Sequence, residues 1–124
     1  MIQAIDLRLN NLVKYNNDYF KIAALTEDFP YLNNDEFGHG IVSYDNIFGI
    51  ELTEDILVKC WWVKEIYEDD IWYEKTYPVI GQLCTSSKGN YIFDIETDTL
   101  RIYYLHELQN LIYSLTKQEL NIQL

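Results

Sequence analysis

Hydrophobic and polar residues in the last third of the chain follow a pattern that predicts two strands and then a helix. Segments 91–95 and 100–104 alternate apolar and polar residues across a short polar turn, which is typical of a β-hairpin. From residue 105, apolar residues recur at spacings of three and four, so we expect a helix over 105–116. Its predicted buried face contains Leu105, Leu108, Leu111, Ile112 and Leu115, and the residues predicted to face away are Glu107, Gln109, Asn110 and Ser114.

The first fifty residues contain short β-type runs that predict a small antiparallel meander. Runs at 5–9, 12–15 and 19–25 are separated by pairs of asparagines at 10–11 and 16–17. Asparagine tolerates the left-handed conformation, so both pairs are expected to form tight turns. Segment 26–40 is polar and rich in turn-forming residues, and we interpret it as a long loop. Segments 41–44 and 47–50 then flank Asp45-Asn46 as a possible hairpin.

The middle of the chain predicts a first helix followed by further strands. Thr53 is a good N-cap, Glu54 and Asp55 suit the first turn, and Leu52 can pack on Leu57, so a helix is expected at about 53–62. Segments 64–73 and 77–83 are predicted strands, with a turn at 86–90. Because short turns favour antiparallel pairing, we expect one α+β domain over 1–124, with a mainly antiparallel β-sheet and two helices.

The net charge of the chain indicates which classes of partner it can bind. The 124 residues contain 9 basic and 20 acidic side chains, a net charge of −11. This charge disfavours direct binding to nucleic acid and favours basic protein surfaces. Neither a signal peptide nor an apolar stretch long enough to span a membrane is found in the sequence. We therefore expect a cytoplasmic protein that makes no membrane contact.

The residues available for catalysis or metal binding do not form a recognisable set. His39 and His106 are the only imidazoles, and Cys60 and Cys84 are 24 positions apart. We expect His39 to be exposed in the long loop, and His106 to cap the last helix or satisfy a backbone group. A zinc site needs about four closely spaced ligands, and no nucleophile motif is present. The sequence therefore predicts a protein that is not an enzyme and holds no cofactor or metal.

Segment 65–74 is the best candidate for a binding surface, because it has five acids in ten residues interleaved with aromatic side chains. Aromatic rings anchor protein interfaces, and carboxylates pair with arginine. An ordinary edge strand with one solvated face is the alternative interpretation. The predicted partner-binding residues are Glu65, Tyr67, Glu68, Asp69, Asp70, Trp72, Tyr73 and Glu74.

Segments 6–13, 50–57 and 104–120, the last with its His-Glu-Leu-Gln-Asn-Leu motif, resemble a family of small uncharacterised proteins from phages and prophages of Bacteroidetes-type bacteria. Lys117 stands where that family tends to have glycine, so the end of the last helix is expected to differ. The resemblance implies a phage accessory protein acting in the host cytoplasm, and it implies no activity for any residue.

Together with the acidic composition, this context favours a non-enzymatic inhibitor of the anti-CRISPR or another anti-defence type. Its expected partner is a host protein with a basic groove, such as a CRISPR effector or another nucleic-acid-binding complex. The alternatives are a small-ligand or nucleotide-signal sponge and a structural or self-assembling module. A homodimer is compatible with each.

Overall fold

The computed structural model describes residues 6–60, 62–67, 70–75, 82–85, 91–95, 98–120 and 122. Within them the chain forms nine strands, all paired antiparallel, and two α-helices. The α+β class with mainly antiparallel pairing is thereby confirmed. The chain divides into two compact units. Unit 1 contains Met1–Ile50 and Tyr104–Asn110, and unit 2 contains Glu51–Tyr103 and Leu111–Leu124.

Unit 1 contains a four-stranded sheet whose strands follow one another in chain order. The strands are β1 (Leu12–Tyr15), β2 (Asp18–Leu25), β3 (Pro30–Asn34) and β4 (Gly38–Ile41). Asn10, Asn16 and Asn17 have φ angles of 72°, 50° and 66°. The two asparagine pairs therefore provide left-handed turn residues, as the sequence predicts.

The predicted long loop at 26–40 is wrong, because this segment contains the hairpin of β3 and β4. Its turn is stabilised locally: the Oδ1 atom of Asn34 accepts hydrogen bonds from the backbone N–H of Glu36 at 2.7 Å and of Phe37 at 3.0 Å. Gly38 follows with a φ of 90°, a conformation that costs glycine little. Leu32 is buried in the middle of β3 and holds the hairpin onto the core.

Two further expectations for unit 1 are also wrong. Residues 6–9 form no strand, and the predicted hairpin around 45–46 is replaced by a 3₁₀ helix at Tyr44–Asn46. Ser43 caps this helix by accepting a hydrogen bond from the Asp45 backbone N–H. Phe48 then forms an isolated antiparallel bridge with Lys14 of β1, so this segment pairs with the sheet instead of with itself.

Unit 2 contains a five-stranded antiparallel meander, again in chain order. The strands are β5 (Trp62–Tyr67), β6 (Asp70–Lys75), β7 (Gln82–Thr85), β8 (Tyr91–Ile95) and β9 (Asp98–Ile102). The segment predicted as one strand over 64–73 is therefore a hairpin of β5 and β6. The β8–β9 hairpin is confirmed, whereas residues 77–81 and the predicted turn at 86–90 lie outside the described residues.

The first helix, α1 (Glu54–Lys59), begins as its sequence predicts and ends earlier. The Thr53 Oγ1 atom accepts a hydrogen bond of 3.2 Å from the backbone N–H of Ile56, which is the expected N-cap. Leu52 and Leu57, the predicted hydrophobic staple, are both buried. The helix was expected to continue to about residue 62, but Trp62 is already part of β5.

Each unit has a set of buried apolar side chains, drawn from its strands and from residues outside them. The core cluster of unit 1 contains Leu7, Val13, Ile22, Leu32 and Ile47. Prominent buried residues of unit 2 are Leu57, Trp62, Leu83, Phe93 and Ile102. In unit 2, the Trp62 and Phe93 rings meet edge to face with centroids 6.3 Å apart, a favourable arrangement for aromatic pairs.

The second helix, α2 (Leu105–Thr116), has the predicted bounds, but its buried face is rotated from the predicted one. Leu105, Leu108 and Ile112 are buried as expected. Leu115 is 46% exposed, and Gln109 is only 2% exposed. Gln109 was predicted to face solvent because it is polar, so the reason for its burial must lie in what it contacts.

Gln109 is buried because it hydrogen-bonds the backbone of the segment that leads into β1. Its Oε1 atom accepts a hydrogen bond of 2.8 Å from the Leu12 N–H, and its Nε2 atom donates one of 3.2 Å to the Asn10 carbonyl. The next residue, Asn110, accepts a 2.8 Å hydrogen bond from the side chain of Asn11 and donates one of 3.1 Å to the Asp6 carbonyl. The Gln-Asn pair thus anchors the chain before β1.

The end of α2 retains a left-handed cap although its residue there is not glycine. Lys117 has a φ of 61° and donates a 2.8 Å backbone hydrogen bond to the Tyr113 carbonyl. This is the geometry in which glycine is favoured. Lysine therefore adopts the same left-handed conformation that glycine would adopt here, at a higher free-energy cost.

Candidate functional site

The sequence-predicted binding segment forms β5 and β6, and strand alternation divides its side chains between two faces of the sheet. Glu65 and Trp72 are cross-strand neighbours in the register of these strands, so they lie on the same face. Glu65 is exposed and Trp72 is half-buried. The structure therefore brings together one carboxylate and one aromatic ring from the predicted set.

The row that contains Glu65 and Trp72 continues across the sheet. The pairings run through β7 to Ile92 in β8 and then to Arg101 in β9. Ile92 is half-buried and Arg101 is exposed. We call the surface formed by Glu65, Trp72, Ile92 and Arg101 the open face of unit 2. It has apolar side chains at its centre and charges of opposite sign at its two ends.

Tyr73 does not belong to this surface, which corrects the prediction for that residue. Its side chain is 3% exposed and lies on the opposite, buried face of the sheet, as alternation with Trp72 requires. Its ring meets that of Tyr91 edge to face, with centroids 5.7 Å apart. Burial, aided by the neighbouring Tyr73 and Glu54, raises the pKa of Tyr91 to about 12. Both phenols are therefore neutral at physiological pH.

The structure describes only some of the remaining predicted partner-binding residues. Tyr67, Asp70 and Glu74 are backbone positions of β5 and β6, whereas Glu68 and Asp69 lie outside the described residues. Two apolar side chains of β5 are strongly exposed: Val63, and Ile66 at 68%. Val63 alternates with Trp62, which is buried, and so shares the side of Glu65. It adds apolar surface beside Glu65, at the β5 edge of the open face.

His106 is buried and does not form the helix cap that the sequence suggested. Glu107 forms the cap instead, accepting a 2.9 Å hydrogen bond from the backbone N–H of Tyr104. The His106 ring stacks on Tyr104 at 5.7 Å, and its Nδ1 atom has no hydrogen-bond partner in the described part of the chain. Burial lowers the pKa of His106, with the charges of Glu107 and Asp6 opposing that shift. The imidazole is therefore held neutral.

His39 lies on β4 instead of in a loop, and it remains exposed as expected. Its ring packs beside that of Tyr31, with centroids 5.6 Å apart. Over the described ranges, no group of three or more His, Cys, Asp or Glu side chains is placed to hold a metal ion. The two histidines are thus separate, one within the packed interior and the other on a strand surface.

A groove in unit 1 is the feature that the sequence interpretation missed. It has a volume of about 290 Å³ and is lined by the rings of Tyr15, Phe20 and Phe37, together with Asp18 and the glycines of β4. The groove depends on the β3–β4 hairpin, which was predicted to be a loop. The sequence signal for this groove was the alternation of Gly38 and Gly40 with longer residues. Glycine within a strand often marks a site where a ligand or another backbone approaches closely.

Comparison of the chain with family models, with curated proteins and with solved structures finds no match. Among the residues that the structure describes, no helix is both long and apolar enough to cross a membrane.

Proposed function

We propose that this chain is a non-enzymatic binding protein whose open face of unit 2 docks on a basic surface of a host protein that handles nucleic acid. The cross-strand pair of Glu65 and Trp72 is the observation that carries the proposal. Trp72 lies one strand in from the edge of the sheet, and a half-buried indole on a sheet face is a typical interface anchor. A carboxylate beside it can pair with an arginine of the partner.

The charge of the chain supports a basic partner. A net charge of −11 attracts cationic surfaces over distances of about 10 Å at 0.1 M salt. Grooves that bind nucleic acid are lined by lysine and arginine, which neutralise phosphates. An acidic protein that occupies such a groove excludes nucleic acid by competition. Inhibition of this kind requires no catalytic group, and it matches the phage context that the sequence resemblance implies.

Different residues of the open face are expected to affect the association rate and the dissociation rate of the complex. Glu65 is exposed, so its charge acts mainly on the rate of encounter. Trp72 and Ile92 are half-buried and present apolar surface, and burying that surface in a complex slows dissociation. Arg101 at the far end of the row has the opposite charge. Because Arg101 would repel a basic surface, it favours a partner whose basic region does not extend to the Arg101 end of the row.

The partner is first isolated from host lysate with and without nuclease treatment, so that capture through contaminating nucleic acid is recognised. Association and dissociation rates are then measured for the purified pair across a salt series. Glu65→Lys should slow association, and Trp72→Ala should raise the dissociation rate about 30-fold, the effect of a strong interface anchor. Added nucleic acid should compete with the wild-type chain for the partner.

Two matched variants serve as controls. Ile66→Ala removes an exposed apolar side chain from the same strand as Glu65 at a neighbouring position, and Glu51→Lys makes the same charge change at an exposed position outside the open face. Both should bind like the wild type, apart from a small general charge effect. If Trp72→Ala also binds like the wild type, or if nucleic acid does not compete, the open face is not the docking surface for a nucleic-acid site.

A further inference from the structure

The groove of unit 1 is built from aromatic rings on one face of the sheet. Val13 pairs with Phe20, and Tyr15 pairs with Asp18, so the register places Tyr15, Asp18 and Phe20 along one edge of this face. The centroids of the Tyr15 and Phe20 rings are 5.6 Å apart, and those of Phe20 and Phe37 are 6.3 Å apart. Three rings thus follow one another along the groove.

The groove is open because β4 has glycine where a side chain would otherwise fill it. Gly40 pairs with the buried Leu32 and shares its face of the sheet. A Cβ atom added at Gly38 or Gly40 would meet no atom within 4 Å. Phe37 is 58% exposed beside this space, so an occupant of the groove would cover apolar surface that solvent now contacts.

The charge within the groove is negative. Asp18 contributes a carboxylate, and the groove has no lysine or arginine among its lining residues. Asp18 forms no ion pair within the described ranges. The faces of aromatic rings carry negative electrostatic potential and attract cations. Rings together with an unpaired carboxylate therefore favour a positively charged occupant over a neutral or anionic one.

We propose that this groove binds an arginine side chain presented by a basic protein segment. The guanidinium group is planar, stacks on aromatic faces and pairs with carboxylates through two parallel hydrogen bonds. It would lie over the ring of Phe37, which is 58% exposed, with its N–H groups directed at Asp18. The site lies within unit 1 and is separate from the open face of unit 2, so it stands or falls independently of the function proposed above.

The test uses the peptide acetyl-Gly-Arg-Gly-amide as probe, and it uses the same peptide with citrulline as the neutral isostere of arginine. Both are titrated into the full ¹⁵N-labelled chain, and amide chemical shifts are recorded. The arginine peptide should cause saturable shifts at residues 15–20 and 37–42, and the citrulline peptide should cause none that saturate. A lysine peptide should bind more weakly, because an ammonium group is more strongly hydrated and cannot stack.

Three variants test the individual parts of the groove. Gly40→Val fills the open space at a position without a positive φ, and it should abolish saturable binding while the strand is retained. Asp18→Asn should weaken binding about three- to ten-fold through loss of the charged hydrogen bonds. Phe37→Ala should weaken it about two- to five-fold. Phe48→Ala truncates an exposed phenylalanine outside the groove and is the matched control.

Equal binding of the arginine and citrulline peptides would overturn the proposal, because the groove would then recognise shape or apolar surface without charge. Shifts that map elsewhere on the chain, or no saturable shifts, would also overturn it. If Gly40→Val fails to fold, the decision rests on Asp18→Asn and Phe37→Ala. Unchanged affinity of both relative to Phe48→Ala would then exclude the groove as the site.

Discussion

Replacement of Gln109 by methionine tests whether the hydrogen bonds of this residue hold the segment before β1. Methionine is unbranched and similar in length, so Gln109→Met keeps the packing volume and removes both hydrogen bonds. The Leu12 N–H loses the acceptor at 2.8 Å, which costs about 1–3 kcal/mol for an unsatisfied buried donor. The Asn10 carbonyl loses the donor at 3.2 Å. Because Asn10 is exposed, water replaces that donor, and the cost is about 0.5–1 kcal/mol.

The free energy of unfolding should therefore fall by about 1.5–4 kcal/mol in Gln109→Met, measured by urea titration at equilibrium. The amide of Leu12 should also exchange its hydrogen faster than in the wild type. Gln118→Met, the same substitution at an exposed position beyond α2, should change stability by less than about 0.5 kcal/mol. A Gln109→Met variant that unfolds within about 0.5 kcal/mol of the wild type, with an unchanged denaturant slope, would refute this reasoning.

Three other predictions concern α2 and its ends. Leu108→Ala should lower the free energy of unfolding by about 2–5 kcal/mol. Leu115→Ala, at a largely exposed position, should lower it by less than about 1 kcal/mol. Equal urea midpoints for the two variants would contradict the buried face of α2 described above. Because burial lowers the pKa of His106 from 6.5, the unfolded chain binds the proton first, so stability should be full above pH 6.5 and fall as the pH drops towards the lower native pKa. In His106→Phe, urea midpoints across that range should depend less on pH, and an identical dependence would assign the loss to other groups. Lys117→Gly should raise the free energy of unfolding by about 1 kcal/mol, since it relieves a left-handed residue, and a lower thermal midpoint would show that the lysine side chain contributes more than the strain costs.

Local sequence signals were sufficient for several elements. The Thr53 cap and the acidic first turn placed the start of α1, and the asparagine pairs placed two turns of unit 1. The alternation over 91–95 and 100–104 predicted the β8–β9 hairpin, although β9 is Asp98–Ile102, and the helical period predicted the bounds of α2. These features depend on contacts between residues close in sequence, so their physical causes are visible in the sequence itself.

The errors arose where a local pattern was ambiguous. Segment 26–40 is as polar as a loop, yet it contains β3 and β4, because the strands of an antiparallel sheet can have exposed polar residues on one face. The groove of unit 1 was missed with it. The binding segment at 65–74 was correctly predicted as β structure, but the change of chain direction between β5 and β6 was not predicted.

By itself, the sequence determined the α+β class, the bounds of α2 and the rule that Trp72 and Tyr73 must lie on opposite faces of a strand, since side chains alternate wherever the backbone is extended. Only the tertiary structure decided which of those two faces is buried: Tyr73 packs against Tyr91, and Trp72 is left on the open face. In the same way, the helical period could not predict that Gln109 is buried, because its partners at Leu12 and Asn10 are about a hundred residues away in the chain. Burial of a polar group is determined by whether a distant partner satisfies its hydrogen bonds, and a single sequence contains no direct record of that pairing.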